Sequence, residues 1–168
     1  MDTTAEDRFD ALYRRYSAPV YRYFRRRLVD ADLAADAAAD VFVIMWRRLA
    51  VVPEGDRQEP WVFATCLNVL RNHRRSLLRR KRLAAKLTEE AARIDVGRDT
   101  DASSNLMAAL EQLRSTDREV LLLSAWEDLD HASIGRILGC SVHAVDQRKH
   151  RALTRLRKAI IRLEGSIA

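Results

Sequence analysis

The sequence predicts an all-α protein with two small helical domains joined by a flexible linker, the second domain containing a helix-turn-helix. Its 168 residues suffice for one ordinary domain or two small ones, and the 48% apolar fraction is that of a folded protein. Only 5 glycines and 3 prolines interrupt the chain, and aromatic residues make up 7% of it. Since alanine, leucine and arginine are abundant, the composition favours helices over strands.

The first helix is predicted from apolar residues, Tyr13 among them, that recur every three or four positions from Phe9 to Leu28, with arginine and aspartate between them. We expect this apolar face to belong to the core. Pro19 lies inside this pattern. Because proline lacks the amide N–H that an interior helical turn needs, and Ser17 just before it can cap a new helix, we expect a break or kink near Ser17.

Two further helices complete the first domain, residues 1–85. Asp30 marks the start of the second helix, whose apolar stripe ends before Pro53, and the third helix follows Pro60. Helices of this number and length can bury a small core of their own.

The next segment, residues 86–103, loses its apolar stripe between Asp95 and Asp101, as a linker does. It carries 5 acidic and 3 basic residues. The second domain, residues 104–168, begins with a leucine-rich helix, and a capping box from Thr116 to Glu119 predicts the start of the next helix.

The last quarter of the chain has the sequence form of a helix-turn-helix. A short apolar helix is followed by Gly139, which suits a tight turn, and by Ser141, which can cap a long basic helix from Val142 to about Leu163. Val142 and Val145 are expected to pack inward. A plain hairpin of two helices with a solvated basic face is the alternative.

Several function classes are disfavoured by what the sequence lacks. It holds no glycine-rich phosphate loop and no nucleophile elbow, so we expect no enzymatic activity and no cofactor. Cys66 and Cys140 lie far apart without a partner at metal-ligand spacing, so we expect no metal site and two buried thiols. Because no signal peptide and no membrane-spanning run is visible, we expect a cytoplasmic protein that does not bind a membrane.

The charge of the chain points to nucleic acid. With 30 basic and 24 acidic residues the net charge is +6, and no acid occurs between Pro60 and Thr88. Trp61 and Phe63 open this stretch and asparagines follow, a mixture suited to unpaired bases as well as phosphates. Two alternatives remain open: the aromatics belong to the core, or the arginines bind anionic lipid. The clustered cations are Arg71, Arg74, Arg75, Arg79, Arg80, Lys81 and Arg82.

Two acids on the second predicted helix, Asp36 and Asp40, are one turn apart and lie on one face. Acids in the amino-terminal half of a helix interact favourably with the helix dipole, which accounts for them without any partner. On spacing alone, this interaction with the helix dipole is preferred over a partner-binding site as the explanation for the two acids.

Three segments taken together resemble a known family. Residues 32–47 (DLAADAAADVFVIMWR) resemble the polymerase-binding segment of bacterial RNA polymerase sigma factors of the extracytoplasmic-function (ECF) class. Residues 59–75 (EPWVFATCLNVLRNHRR) resemble the promoter-melting segment of that class, and residues 110–157 resemble its carboxy-terminal helix-turn-helix domain. The three motifs occur in the family's order.

The resemblance implies a dissociable RNA polymerase subunit that acts by binding in a stress or signal response. Its partners would be core RNA polymerase and promoter DNA, both duplex and melted, with an anti-sigma factor as a further candidate. Residues 1–85 would bind the core enzyme and the proximal promoter element, and residues 104–168 the upstream element. The implied core-polymerase contacts are Asp36, Asp40, Phe42 and Trp46. The implied proximal contacts are Trp61, Asn68, Arg71, Asn72 and Arg75. The implied upstream contacts are Ser141, His143, Gln147, Arg148, Arg151 and Arg155.

At three positions the chain departs from the family's pattern. Ala35 stands where a second acid is frequent, Asp146 where a basic residue is common, and Lys149 where an apolar residue is usual. These departures predict a weakened contact with core polymerase and rearranged contacts with upstream DNA.

Two other function classes are compatible with the same features. The first is a free-standing repressor or activator that binds duplex DNA with the helix-turn-helix and uses residues 1–85 to form oligomers or bind a ligand. The second is a membrane-surface adaptor that uses the run from Arg71 to Arg82.

Overall fold

The computed structural model describes residues 4–87 and 102–165, and the chain divides into two compact units, Met1–Ala91 and Ala92–Ala168. All regular structure in the described ranges is helical. This confirms the predicted all-α fold with two helical regions. The predicted linker, residues 86–103, overlaps a helix at each margin, and its residues 88–101 lie outside the described part of the chain.

The first unit contains three α-helices that contact one another pairwise: α1 (Ala5–Arg25), α2 (Ala31–Arg47) and α3 (Gln58–Leu87). Two short 3-10 turns connect α2 to α3, at Leu49–Val51 and Gly55–Arg57. Removing their apolar stripes from water is the main force that holds the helices together. The buried side chains include Leu12, Tyr16, Val20, Tyr23, Phe24, Val41, Met45, Val62, Phe63, Cys66 and Leu70.

Of the break or kink predicted near Ser17, the break is wrong, because α1 runs without interruption from Ala5 to Arg25 through Pro19. Tyr16 and Val20, on either side of the proline, are both buried. Their packing stabilises turns that an interior proline alone would disfavour by about 3 kcal/mol. The carbonyl of Arg15, which would have accepted the missing N–H of residue 19, lacks that intrahelical hydrogen bond.

The predicted start of α2 is confirmed, and that of α3 is shifted. Asp30 accepts hydrogen bonds from the backbone N–H groups of Asp32 and Leu33 at 2.8 and 3.1 Å, and so caps α2. α3 begins at Gln58, which brings Pro60 into the first turn of the helix. A missing N–H costs no intrahelical hydrogen bond there.

The second unit contains α4 (Ala102–Glu111), α5 (Ser115–Ala125), α6 (His131–Leu138) and α7 (Val142–Gly165). The three shorter helices all contact α7. The long basic helix is therefore also the element on which the core of this unit is built. The buried apolar residues of the second unit include Leu110, Leu113, Val120, Leu121, Leu122, Leu123, Ile134, Val145 and Ala152.

α5 begins without the predicted capping box. Its N-cap residue is Arg114, and no side chain caps the helix in the described structure. The box from Thr116 to Glu119 is wrong because the helix already begins at Ser115, which places Thr116 inside the first turn rather than at the N-cap. Asp117, also in the first turn, and Glu119 are both 4% exposed and pack inside the unit. Tertiary contacts therefore outweigh the local capping pattern here.

The ends of α6 are well capped. Asp130 accepts a 2.7 Å hydrogen bond from the backbone N–H of Ser133, and bonding from Ser133 holds the pKa of Asp130 below its ordinary value. The stabilisation from this cap is therefore present above the ordinary aspartate pKa and is lost as the pH falls through the lowered value. At the other end Gly139 adopts a left-handed conformation with φ +65°, which glycine allows without strain.

The turn between α6 and α7 confirms the predicted helix-turn-helix. Ser141 caps α7 by accepting a 3.2 Å hydrogen bond from the N–H of Ala144. Val145 is fully buried as expected. The prediction that Val142 packs inward is wrong, because 47% of this residue, the first of α7, is exposed.

The two thiols differ in their surroundings. Cys66 is buried in the core of the first unit, whereas Cys140, in the turn before α7, is only partly buried. Among the residues that the structure describes, no helix is long and apolar enough to cross a membrane. The same residues contain no group of three metal-ligating side chains.

Candidate functional site

The five predicted proximal-promoter residues lie on one side of α3. Trp61, Asn68, Asn72 and Arg75 follow one another at helical spacings of seven, four and three residues, and Arg71 borders them. They extend over roughly 20 Å of helix at about 1.5 Å per residue. Both asparagines and both arginines are exposed, and Trp61 is half-buried. The structure therefore brings an aromatic ring, two amides and two cations into one line, and these five residues are called the α3 face below.

Phe63 belongs to the core and not to this line. It is 2% exposed, and its ring lies 5.8 Å from the ring of Tyr23 in α1. The alternative that both aromatics are core is therefore correct for Phe63. Trp61 keeps part of its indole at the surface.

The cationic run continues along α3 beyond the five predicted proximal-promoter residues. Arg79, Arg80 and Arg82 are exposed and Arg74 is half-buried, while the side chain of Lys81 lies outside the described part of the structure. α3 thus combines polar and aromatic groups in its first half with cations in its second half, a residue type that commonly contacts phosphates.

The predicted core-polymerase residues divide between the surface of α2 and the layer beneath it. Asp36, Asp40 and Trp46 lie on the exposed side of the helix, whereas Phe42 is 8% exposed. Asp40 is also held within the unit, because its Oδ2 lies 2.8 Å from Nε2 of His73 on α3. A carboxylate can only accept, so His73 donates this hydrogen bond.

Phe42 and Trp46 form part of an aromatic ledge with Phe9 and Tyr13 of α1. The ring centroids lie 5.1 Å apart for Phe9 and Trp46, and 4.8 Å apart for Tyr13 and Phe42, both in edge-to-face geometry. Trp46 is 48% exposed and Tyr13 is 50% exposed. The sequence pattern placed Phe9 and Tyr13 in a core stripe, so their part in an exposed aromatic surface was missed.

The ledge borders a shallow groove of about 470 Å³ between α1 and α2. Ala35, one of the departures from the family pattern, lies in its wall, so the small side chain leaves the groove open at this point. The other lining residues are Tyr13, Ser17, Tyr21, Ala38, Ala39 and Phe42.

The predicted upstream-element residues lie along α7 but do not all face solvent freely. His143 and Gln147 are exposed and hydrogen-bond each other at 2.9 Å, and Arg151 is exposed. Arg148 is half-buried and donates from Nη1 to Sγ of Cys140 at 3.2 Å, which links α7 to the turn before it.

Arg155 makes a structural ion pair with α5. Its Nη1 lies 2.8 Å from Oδ2 of Asp117, whose side chain is only 6% exposed. The partners are 38 positions apart in the chain, so no local pattern could reveal the pair. The structure thus gives Arg155 a role in holding α7 on α5.

Replacing Arg155 with alanine is expected to lower the free energy of unfolding of the second unit by about 2 kcal/mol, because a nearly buried carboxylate then loses its cation. Urea denaturation followed by Trp126 fluorescence, with Trp46 and Trp61 replaced by phenylalanine, reports on this unit alone. Arg157→Ala, at an exposed position of the same helix, is the matched control and should cost less than about 0.5 kcal/mol. Unchanged stability together with lost promoter binding would show instead that Arg155 contacts DNA directly.

Two family models match the chain, one in each unit. The sigma-70 region 2 model matches residues 12–81, and the sigma-70 region 4 model matches residues 103–156. The five α3 residues and the α2 members of the aromatic ledge, Phe42 and Trp46, fall within the first match, and the helix-turn-helix falls within the second.

Named sigma factors align with nearly the whole chain. RNA polymerase sigma factor CarQ of Myxococcus xanthus is 28% identical over 169 residues, which is 98% of this chain and 95% of CarQ. NccH of Alcaligenes xylosoxydans xylosoxydans is 28% identical over 156 residues, covering 88% of this chain and 84% of NccH. The ECF sigma factor BldN of Streptomyces coelicolor is 26% identical over 162 residues, covering 92% of this chain and 61% of BldN.

Solved structures show the same architecture. CnrH, in complex with the cytosolic domain of CnrY, superposes with a TM-score of 0.64 at 25% identity over 89% of this chain and 85% of that one. The sigma factor RpoE of Bartonella quintana, in complex with the anti-sigma factor NepR, has the same fold, with a TM-score of 0.61 at 19% identity over 88% and 96% of the two chains. With both sigma-70 regions matched in order and named relatives along nearly its full length, the chain belongs to the ECF class of RNA polymerase sigma factors.

Proposed function

We propose that this sigma factor directs promoter-specific initiation through three surfaces: the exposed side of α2 for core RNA polymerase, the α3 face for the proximal promoter element and α7 for the upstream element. The line of Trp61, Asn68, Asn72, Arg71 and Arg75 on α3 is the observation that carries the proposal. The protein acts in the cytoplasm, where core polymerase and DNA meet. The bond-forming chemistry belongs to the polymerase, so this chain contributes binding energy and no catalytic residue.

The α3 face suits unpaired bases better than duplex DNA. The exposed part of Trp61 offers a stacking platform, and the amides of Asn68 and Asn72 can pair with base edges that a duplex hides. Extruding a base costs a few kcal/mol, and stacking returns about 1–3 kcal/mol per base. A surface that binds only the extruded base therefore favours melting of the proximal element.

The α2 surface suits a protein partner with a basic and apolar face. Asp36 and Asp40 supply negative charge, and the aromatic ledge supplies half-exposed rings beside them. Because His73 holds Asp40 in place before docking, less side-chain entropy is lost when the partner binds.

The amino-terminal part of α7 suits the major groove of duplex DNA. His143 and Gln147 are already joined by a hydrogen bond, and Arg151 lies one turn further along the helix. Gln is suited to adenine and Arg to guanine in the major groove. The ion pair of Arg155 keeps the helix fixed on its unit while these side chains contact bases.

We further infer that an anti-sigma factor regulates the protein. The structurally similar CnrH was solved in complex with the cytosolic domain of CnrY, at 25% identity to this chain. The half-exposed rings of Trp46 and Tyr13 are apolar surface that a regulatory partner can cover. Such a partner would compete directly with core polymerase for the aromatic ledge.

The combined replacement Asn68→Ala and Asn72→Ala is expected to reduce transcription by the reconstituted holoenzyme roughly 10-fold or more, because hydrogen bonds to bases worth about 0.5–1.5 kcal/mol each are lost. Permanganate reactivity of thymines in the melted region should fall in parallel. Gln112→Ala removes an exposed amide from the second unit and is the matched control, which should retain normal activity.

A free-standing DNA-binding regulator makes the opposite prediction. Such a protein would bind its duplex site tightly without core polymerase, and the two asparagine replacements in the first unit would leave that binding intact. The proposal is wrong if the doubly substituted protein opens and transcribes promoters as well as the unchanged one.

A further inference from the structure

A polar cluster joins α5, α6 and α7 at the amino-terminal end of α6. Its members are Ser124, His131, Asp146 and Lys149. Nδ1 of His131 lies 2.5 Å from Oδ1 of Asp146, and Nε2 of the same ring lies 3.3 Å from Nζ of Lys149. Nζ of Lys149 also donates to Oγ of Ser124 at 2.7 Å. Two of the three departures from the family pattern, Asp146 and Lys149, thus meet at one histidine.

The contacts assign the proton on the His131 ring. An ammonium group can only donate, so Nε2 of His131 accepts from Lys149. The proton of the neutral ring is therefore on Nδ1, which donates to the carboxylate of Asp146. The cluster thereby fixes both the position and the rotamer of the Asp146 side chain.

Asp146 is held by the cluster without being buried. Its side chain is 51% exposed, against 34% for His131. It shares the rim of a shallow depression on the outer side of α7 with Gln147, His150 and Arg151. Two of these neighbours, Gln147 and Arg151, are the side chains assigned above to base edges of the upstream element.

We propose that Asp146 is a specificity-determining residue, whose carboxylate accepts a hydrogen bond from the exocyclic amine of a cytosine in the upstream promoter element. His131 is the positioning residue that aims it. This inference rests on the proposed function of α7 and deepens it, because it names a base that α7 selects.

Electrostatics and hydrogen-bond chemistry select this ligand. A carboxylate is repelled by phosphates and has no hydrogen to donate, so it needs a base that presents a donor. In the major groove the donors are the amines of cytosine and adenine. Adenine places its N7 acceptor beside that amine, and N7 repels a carboxylate. Cytosine has no acceptor of its own on its major-groove edge. Lys149, three residues along the helix, offsets the negative charge that Asp146 brings near the backbone.

The test is selection of promoters from a pool with a randomised upstream element by the holoenzyme of core polymerase and the full-length chain. We expect the unchanged protein to enrich cytosine at one position of that element. Asp146→Asn should reduce this preference at least 5-fold and favour adenine there, because an amide pairs with both edge groups of adenine. The base preferences at the other positions of the upstream element should not change. Glu164→Gln removes the same charge from the far end of α7 and should leave the whole profile unchanged.

The same profile of base preferences, and not the stability of the variants, tests the role of His131. His131→Gln keeps an N–H that can reach the carboxylate and should retain the cytosine preference, whereas His131→Ala should weaken it at that position alone. An unchanged profile in folded Asp146→Asn and His131→Ala proteins would overturn the inference while leaving the sigma function of α7 intact. If the unchanged holoenzyme selects no upstream element at all, the inference fails together with the proposed role of α7.

Discussion

Replacing Trp46 with alanine is expected to weaken binding of this sigma factor to core RNA polymerase by about 2 kcal/mol or more, a factor of about 30 in Kd. The indole is 48% exposed and stands edge-on to Phe9 at 5.1 Å, so it is a large rigid side chain already fixed in place. Such preordered aromatic groups dominate the energetics of protein interfaces. Biolayer interferometry with immobilised core polymerase measures the change directly.

A matched control separates this effect from a general loss of apolar surface. Val29, between α1 and α2, is 93% exposed and lies outside the aromatic ledge, so Val29→Ala should bind core polymerase normally. The core of the first unit should be intact in both variants, which near-ultraviolet circular dichroism can verify. Binding of Trp46→Ala with unchanged affinity would show that core polymerase docks elsewhere on the unit.

The second large effect is expected at Gly135 in α6. A Cβ added at this position would lie 2.7 Å from the backbone carbonyl oxygen of Cys140, a contact closer than atoms tolerate. The turn has little freedom to move, because the N–H of Cys140 donates to the carbonyl of Gly135 at 2.9 Å. Gly135→Ala should therefore cost about 3 kcal/mol of stability in the second unit and distort the helix-turn-helix.

Gly139 is the matched control, because it lies close to the same turn but glycine is favoured there for a different physical reason. A Cβ there meets no atom within 4 Å, and only its φ of +65° disfavours a side chain. Gly139→Ala should therefore cost about 1 kcal/mol. Urea denaturation followed by Trp126 fluorescence, as for Arg155→Ala, measures the loss of stability in both glycine variants. Equal losses for the two substitutions would contradict the close approach at Gly135.

Distortion of the helix-turn-helix has a specific consequence for promoter use. Gly135→Ala should reduce transcription that depends on the upstream element, while binding to core polymerase through the first unit remains. Co-elution with core polymerase and transcription from a promoter with and without its upstream element separate these two activities.

The elements that could be predicted from sequence are those determined within a few residues. Asp30 caps α2 through N–H groups two and three positions away, and Ser141 caps α7 in the same way. The one-sided placement of Trp61 and Asn72 on α3 also follows from helical spacing alone.

Features that depend on distant partners were not accessible. Pro19 predicted a break because its missing hydrogen bond is local, while the burial of α1 that compensates for it comes from other helices. The apolar period likewise placed Tyr13 in the core, although its ring lies half-exposed on the aromatic ledge. Arg155 has the charge of a DNA contact, yet its partner Asp117 lies on another helix.

Lys149 illustrates how tertiary contacts change the meaning of a residue. In the sequence it is a cation on the inner stripe of an amphipathic helix, where the family usually has an apolar residue. In the structure Nζ is bound by Ser124 and His131, so the charge is accommodated by hydrogen bonds at the edge of the core. The departure is therefore part of a polar cluster rather than a packing defect.

Transcription from a pooled promoter library by purified core polymerase, with and without the protein, tests whether this chain gives core RNA polymerase its promoter choice. Sequencing of the transcript 5′ ends identifies every start site. We expect new start sites that share a proximal and an upstream element and that disappear with the Asn68→Ala and Asn72→Ala replacements. Start sites that are the same with and without the protein, together with failure to co-elute with core polymerase, would contradict it.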